Sequence, residues 1–330
     1  MGDVTLTLIF YVGLLFIMMV PGIIMKKCGL STAGFGKGLS NLVLYVAQPA
    51  LVFLAYVRPF DMEILKNALV VLLVSTIIQA MFAVVAIIVF RRAEDSARRM
   101  LMFATVFSNA AFMGIPLIEE VLGSEATIYA TVYNITFNLF LWSLGVYFCT
   151  VKRDMDKDGD IDTHAESLTI VLSSIKKAFL HPVTLAAFAG IIVFLLPIDT
   201  LPDIMFDSLS MLKGLVAPLA MVVIGLRLAE INFKGFFKDV YMYIFIALRH
   251  LALPAASCLI LVLLRLIGLP ISDTVYMVVV IMAATPAATS ATMFAEKFDC
   301  DAAYVSKLVA FSTILSIATM PLMVLFAGLF

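Results

Sequence analysis

Charged residues are scarce in this chain. They form 14% of its 330 residues, whereas 63% are hydrophobic and the mean hydropathy is +1.10. Soluble domains carry about 25% charged residues, so this composition excludes an ordinary water-soluble fold and indicates a membrane protein. The formal net charge is -1 and no basic stripe is present, which argues against a nucleic-acid partner.

The residue types that build metal centres and catalytic sites are also few. The four cysteines lie far apart without the paired spacing of metal ligands, and there are three histidines. The sequence has no phosphate-binding glycine loop and no motif that pairs a nucleophile with its base. We therefore expect free thiols, no cofactor, no resident metal and no enzyme activity.

The central polar segment, 151–167, resembles part of a calcium loop. Its aspartates alternate as in the first positions of an EF-hand: Asp154, Asp156, Asp158 and Asp160. Gly159 holds the sixth position, but Ala165 stands at the twelfth, where an EF-hand needs glutamate. We interpret the segment as an acidic cytoplasmic linker and keep calcium binding as the lesser alternative.

Long apolar runs predict ten membrane-spanning helices, since about twenty apolar residues cross a bilayer. The predicted spans, one to ten, are about 5–25, 39–57, 64–90, 100–118, 126–150, 182–197, 206–229, 239–264, 273–294 and 303–329. Sixteen of the 22 Lys and Arg residues lie in the loops after odd-numbered spans, and four lie on the other side. The positive-inside rule makes the first set cytoplasmic. It predicts a multi-pass protein of the plasma membrane with both termini outside.

The two halves show similar features in the same order. Span two contains Pro49 and span seven contains Pro218, and acidic turns follow Glu120 and Glu296. Because each half holds an odd number of spans, the second half enters the membrane from the opposite side. The predicted fold is an all-α integral membrane protein of two inverted five-helix repeats. The first repeat covers 1–150, the linker 151–167 and the second repeat 168–330.

Spans four and nine each contain proline among small and polar residues. The first broken segment, 108–117, carries Asn109, Gly114 and Pro116. The second broken segment, 284–292, carries three comparable residues: Pro286, Thr289 and Ser290. Interrupted helices at corresponding places in two halves are typical of a carrier's binding site.

Backbone chemistry explains why such breaks bind ligands. Proline lacks an amide hydrogen, so we expect Pro116 to free the carbonyl of Phe112 and Pro286 to free that of Met282. Unpaired backbone groups are costly in lipid, and the N-terminus of the half-helix after a break attracts an anion. The alternative is a pair of kinked helices whose Ser and Thr side chains bond their own backbone.

Further polar side chains lie inside the predicted spans, where they are costly and face the protein interior. Spacings of four and three place Asn41, Tyr45 and Gln48 on one face of span two. Asn134 and Asn138 lie one turn apart in span five. We predict that these side chains line the substrate path or, alternatively, that they hydrogen-bond between helices.

Two ionisable residues lie near the middle of span eight. Arg249 is a candidate partner for a substrate carboxylate, and the alternative is that it binds carbonyls freed at a break. His250 is a candidate carrier of a coupled proton, because the ordinary pKa of histidine lies near neutrality. A packed neutral histidine is the alternative for His250.

The motifs resemble those of a known family. Met113-Gly114-Ile115-Pro116-Leu117, preceded by Asn109, is similar to the fourth-helix signature of the auxin efflux carrier family. The second half agrees through Pro286, Phe294-Ala295-Glu296-Lys297-Phe298 and Thr319-Met320-Pro321. That family includes PIN-type auxin exporters of plants and bacterial permeases for malate, malonate and similar acids.

The resemblance implies an architecture and a mechanism. Spans one, two, six and seven would form a scaffold, and the other spans would form a transport domain. Spans four and nine would cross as an X, where Asn109 and Pro116 mark the site for a substrate carboxylate. No ATP-binding motif occurs, so gradients of substrate, proton or ion would drive the movement.

The predicted function is secondary transport of small organic anions, such as dicarboxylates or auxin-like acids, by alternating access. The expected partners are the anion, the lipid bilayer and a coupling proton or sodium ion, and a homodimer remains open. Two alternatives are a sodium-coupled carrier of the bile-acid type and a membrane sensor or scaffold that transports nothing.

Overall fold

The computed structural model describes residues 2–32, 34–150, 169–170, 173–176, 179–196, 200–231 and 238–330. The predicted linker, with its calcium-loop candidates, lies outside the described residues. The main helices are α1 Gly2–Lys27, α2 Phe35–Ala55, α3 Met62–Phe90, α4 Asp95–Val106, α5 Ala110–Thr150, α6 Pro182–Leu195, α7 Asp203–Leu228, α8 Val240–Leu266, α9 Asp273–Ala284, α10 Ser290–Lys297 and α11 Ala302–Ala327.

Polar caps define several helix starts. Side-chain oxygens of Asp61, Ser272 and Asp301 accept amide hydrogens in the first turns of α3, α9 and α11. Such caps satisfy donors that have no partner within the helix. The helices therefore begin where the apolar runs meet polar residues, within a few residues of the predicted bounds.

Seven helices in the described part of the chain are long and apolar enough to cross a membrane: Leu6–Lys27, Phe35–Ala55, Met62–Phe90, Ala110–Thr150, Asp203–Leu228, Val240–Leu266 and Ala302–Ala327. The prediction of an all-helical membrane protein is confirmed at this level. Predicted span six corresponds to α6, which has 14 residues. Predicted span nine corresponds to α9 and α10, which are separated by a break.

A kink divides α5, which contains the end of predicted span four and all of span five. Gly123 has φ 86° and ψ -179°, so the backbone leaves the helical region there. A residue with a side chain rarely adopts such a positive φ, whereas glycine does so without steric cost. Gly123 thus permits the turn that the sequence predicts between spans four and five.

The tightest helix contact joins α1 and α7. A Cβ atom added to Gly22 would lie 2.2 Å from the carbonyl oxygen of Val222, and one added to Gly225 would lie 2.0 Å from that of Met19. The two backbones therefore touch directly, as small residues allow in membrane helices. At the same end of the molecule, Lys26 forms an ion pair with Glu230.

The half-helices around the two breaks pack against each other. Helix α4 contacts α10 and α11, while α5 contacts α9. Between them lies an isolated antiparallel bridge that pairs Ser108 with Ala287. Large apolar side chains remain exposed on the outer helix faces, such as Ile17 and Leu263, as expected for surfaces that contact lipid.

Candidate functional site at two helix interruptions

The first interruption lies at 107–109, earlier than predicted. Helix α4 ends at Val106, Phe107 is extended with ψ 118°, and Asn109 has ψ 44° before α5 begins. Pro116 lies inside α5, directly after a π turn at Ala110–Gly114. The expectation that proline breaks this helix was therefore wrong, because the wider π turn accommodates the proline.

The π turn also changes which carbonyl Pro116 leaves unpaired. The amide of Ile115 bonds to the carbonyl of Ala110, five residues back, so Pro116 in the same register frees Ala111. Nε2 of Gln48 donates to this Ala111 oxygen at 3.0 Å. Gln48 thus satisfies one carbonyl at the break, and the expectation that Phe112 is also freed stays a prediction.

The second interruption lies at Pro286, as predicted. Thr285 is extended with ψ 149°, and α10 begins after Thr289. The carbonyl oxygen of Met282, which Pro286 deprives of its helical donor, accepts hydrogen bonds from Thr285 Oγ1 at 2.8 Å and Ser108 Oγ at 3.4 Å. One of these two hydroxyl groups comes from the first interruption.

The two interruptions satisfy each other's backbone. The amide of Asn109 donates to the carbonyl of Pro286 at 2.7 Å, and the amide of Ala288 donates to the carbonyl of Phe107 at 2.9 Å. In intact helices these amides would bond within their own chain segment. The exchange joins the two halves of the protein at one buried point.

Asn109 and Thr289 face each other across this point. Asn109 is 3% exposed, and its Oδ1 accepts from Thr289 Oγ1 at 3.4 Å. Within the described residues, Nδ2 of Asn109 and Oε1 of Gln48 are buried without a hydrogen-bond partner. Buried polar atoms usually have a partner, so the Nδ2 donor is free to bind a group that enters between the interruptions.

Arg249 lies on the other side of the interruptions and is 0% exposed. Its guanidinium donates to the carbonyl oxygens of Thr285 at 2.6 and 3.2 Å, Ala283 at 3.0 Å and Thr105 at 3.2 Å. Its Cζ lies 5.5 Å from the centre of the Phe82 ring. Of the two interpretations left open for Arg249, the structure therefore shows carbonyl binding at the breaks.

His250 belongs to a continuous hydrogen-bond network. Nδ1 lies 2.8 Å from Thr319 Oγ1 and Nε2 lies 2.8 Å from Ser312 Oγ, which also accepts the Ala287 amide at 2.9 Å. Thr319 donates to the Leu315 carbonyl, so its oxygen is left to accept from Nδ1–H. A neutral ring with the proton on Nδ1 satisfies every member, and the hydroxyl of Ser312 then donates to Nε2.

Gly114 brings α5 close to α9. A Cβ atom at this position would lie 2.7 Å from Met282 Sδ and 3.3 Å from Thr285 Cγ2. Pro116 is buried in the same helix, and Ser290 is half-buried at the start of α10. The structure thus gathers Asn109, Gly114, Pro286 and Thr289 of the two broken segments around one point.

Other predicted residues lie elsewhere. Tyr45 is 55% exposed, with its ring 5.7 Å from that of His181, and Asn41 is also exposed. A π turn at Val43–Ala47 shifts the register of α2, so the predicted common face with Gln48 does not form. The expectation that Tyr45 lines a path with Gln48 was therefore wrong.

Asn134 and Asn138 line a narrow crevice between α2, α5 and α6, together with Thr131 and Thr184. This crevice leaves no room for a water-sized group, and its lining includes no residue of either broken segment. No sequence pattern indicated that Thr184 would join them. Within the described residues, Asn134 Oδ1 and Thr184 Oγ1 are buried in this crevice without a hydrogen-bond partner.

An open cavity of about 510 Å³ reaches the second interruption. Thr289 and Thr292 lie in its lining between α7, α10 and α11, together with Arg227, Glu296 and Lys307. A neighbouring cavity of about 770 Å³ shares Arg227, Glu230 and Glu296 with the first cavity. The second cavity adds three basic residues: Lys26, Lys37 and Lys297. We call the two together the vestibule.

The sequence as a whole matches known transport proteins. The model of a family described as "Membrane transport protein" matches residues 8–324. The chain belongs to this family, the auxin efflux carrier family. It is a membrane transport protein with several membrane-crossing helices.

Two archaeal relatives agree with this assignment. An "Uncharacterized transporter" of Methanothermobacter thermautotrophicus is 27% identical over 309 residues, covering 93% of this chain and 94% of the relative. A second "Uncharacterized transporter", from Methanocaldococcus jannaschii, is 22% identical over 270 residues, covering 78% and 80%. The similarity extends over most of both relatives, so it concerns the whole fold.

Proposed function

We propose that this protein is a secondary transporter of small organic anions, above all carboxylates, and that it binds them between the N-terminal ends of α5 and α10. The observation that carries the proposal is the unpartnered Nδ2 of Asn109, buried where these two ends meet. The first amides of a helix lack partners within it. Together with an amide donor, they form a neutral site that favours a negative oxygen.

The charge around the interruptions supports an anion. Arg249 contributes a buried positive charge at the opposite side of the breaks. The vestibule that leads to Thr289 carries more basic residues than acidic ones, which raises the local concentration of anions. The same positive groups would repel a cationic substrate.

Alternating access is the mechanism that we propose. Ten spans in two inverted repeats would place the interruptions at an X-shaped crossing, and the mutual bonding of 107–109 with 286–288 supports such a contact. The direct backbone contact of α1 with α7 supports a rigid scaffold. The half-helices around the breaks would then move as one transport domain and expose the site to each side in turn.

Uptake by purified protein in liposomes tests this proposal. We expect flux of labelled carboxylates from a panel of mono- and dicarboxylic acids, driven by imposed gradients of substrate, proton or sodium. A strict requirement for sodium would favour a carrier of the bile-acid type. Binding of an acid without any flux under every gradient would contradict transport and favour a sensor.

Substitution of Asn109 tests the position of the site. We expect Asn109→Ala to lower flux about tenfold to 100-fold, because a hydrogen bond to a charged group contributes about 1.5–3 kcal/mol. The free energy of unfolding should fall by no more than about 1 kcal/mol, since Nδ2 has no partner within the described residues and Oδ1 accepts one long bond, from Thr289. The matched control is Asn41→Ala, at an exposed position of α2, which should transport normally. Equal flux in the two variants would remove Asn109 from the site.

A further inference from the structure

Arg249 is a buried charge without an acidic partner in the described part of the chain. The ion pairs found there join other residues, such as Arg58 with Glu125 and Arg265 with Asp273. The four hydrogen bonds that Arg249 donates within the described residues all go to main-chain carbonyl oxygens. A buried charge needs compensation, and here backbone dipoles provide it.

These carbonyl oxygens have lost their normal helical donors. In a continuous helix, Thr105 would accept from the amide of Asn109 and Ala283 from that of Ala287. The structure directs these amides to Pro286 and Ser312 instead. Both acceptors lie in last helical turns, where the macrodipole is negative. The breaks thus create a cage of carbonyl oxygens at the C-terminal ends of α4 and α9.

A cage of this kind is a binding site for a cation. We propose that the guanidinium of Arg249 acts as a tethered cation that fills this cage, so that the interruptions need no bound metal ion. The guanidinium joins the C-terminal ends of α4 and α9, just before Asn109 and Pro286 bond to each other, so it supports the anion site without touching the substrate. Arg249 is therefore a positioning residue, and this inference rests on the proposed transport function.

Truncation of the side chain should convert the cage into a site for a free ion. We expect Arg249→Ala to lower flux about 100-fold, since removing one partner of a buried charged group leaves the others unsatisfied. Guanidinium at millimolar concentration, far below the molar range that denatures proteins, should restore much of the flux and raise the unfolding temperature. In the wild-type protein, guanidinium should change neither the flux nor the unfolding temperature.

Arg265→Ala provides the matched control. Arg265 lies in the same helix and binds the Ile271 carbonyl and Asp273, but its side chain is 27% exposed. Guanidinium should not restore any flux that this variant loses, because water already reaches the Arg265 side chain. Equal rescue of both variants, or wild-type flux and stability in Arg249→Ala without added ions, would overturn the proposal.

Two milder variants decide the question if Arg249→Ala does not fold. Arg249→Lys keeps a charge with three donors, whereas Arg249→Gln is neutral, so the lysine variant should transport several-fold faster. Equal flux in these two variants would show that no cation is needed. The unfolding temperature depends on the cage and not on transport. Failure of the wild-type protein to move any carboxylate would therefore contradict only the transport proposal.

Discussion

Arg249 and His250 are neighbours in one π turn of α8, at Leu248–Ala252, and they stabilise different parts of the interruptions. Arg249 binds carbonyl oxygens, whereas His250 reaches the Ala287 amide through Ser312. A protonated His250 would add a second positive charge beside Arg249 in a site without solvent. These contacts therefore favour a neutral, packed His250.

Replacement of His250 tests this interpretation. His250→Leu should destabilise the protein by about 2–4 kcal/mol, since two hydroxyl groups would lose their ring partners in a buried site. The measurement is thermal or denaturant unfolding in detergent. His181→Leu is the control, because His181 is half-buried and accepts one long bond, from the amide of Val183 at 3.4 Å. Unchanged stability together with loss of pH-dependent flux would instead assign His250 to proton coupling.

At the scale of elements, a π turn precedes three of the prolines that lie within helices. The π turns Val43–Ala47, Ala110–Gly114 and Leu248–Ala252 are each followed, two residues later, by proline: Pro49, Pro116 and Pro254. Each wide turn shifts the hydrogen-bond register before the residue that cannot donate. At these three positions proline is thus compatible with a continuous helix.

This device limits what the sequence could predict. Hydropathy located the helices within a few residues, and Pro286 marked the second break correctly. No proline marks the first break. Ser108 and Asn109 leave the helix there through contacts with a segment far away in sequence. Local periodicity likewise could not show the shifted face of Tyr45 or the carbonyl partners of Arg249, which depend on tertiary contacts.

The contact of α1 with α7 gives a prediction for helix packing. Gly225→Ala should destabilise the protein by about 1–3 kcal/mol, because its Cβ would collide with the Met19 backbone and separate the helices. Gly13→Ala in α1 is the control, since nothing lies within 4 Å of its added Cβ. That change should be neutral or stabilise the helix. Thermal unfolding in detergent compares them, and equal shifts would refute the close contact.

At the scale of the whole molecule, the vestibule brings together basic residues from helix ends that are far apart in sequence. Lys37 follows α1, Arg227 lies in the last turn of α7 and Lys297 ends α10. The charge count predicts that all three lie on the cytoplasmic side. Their common cavity shows that these helix ends meet at one end of the protein, which is consistent with that prediction.

Cysteine labelling determines which side this end faces. Cys28 is exposed in the loop after α1, while Cys149 and Cys258 are buried. We expect a membrane-impermeant maleimide to modify Cys28 in inside-out vesicles but not in intact cells. Cys28→Ser should abolish most of the labelling and serves as the control. Rapid labelling of Cys28 in intact cells would reverse the proposed orientation.

The mutual bonding of the two interruptions has a consequence for how the chain is made. Synthesis inserts residues 105–109 into the membrane long before the ribosome reaches their later partners. Arg249 binds the Thr105 carbonyl, and Pro286 and Ala288 bond to Asn109 and Phe107. Until then, the backbone groups of this stretch must bond within a continuous helix or to water. Completion of the site is therefore a late event in biogenesis, and a nascent chain released early cannot form it.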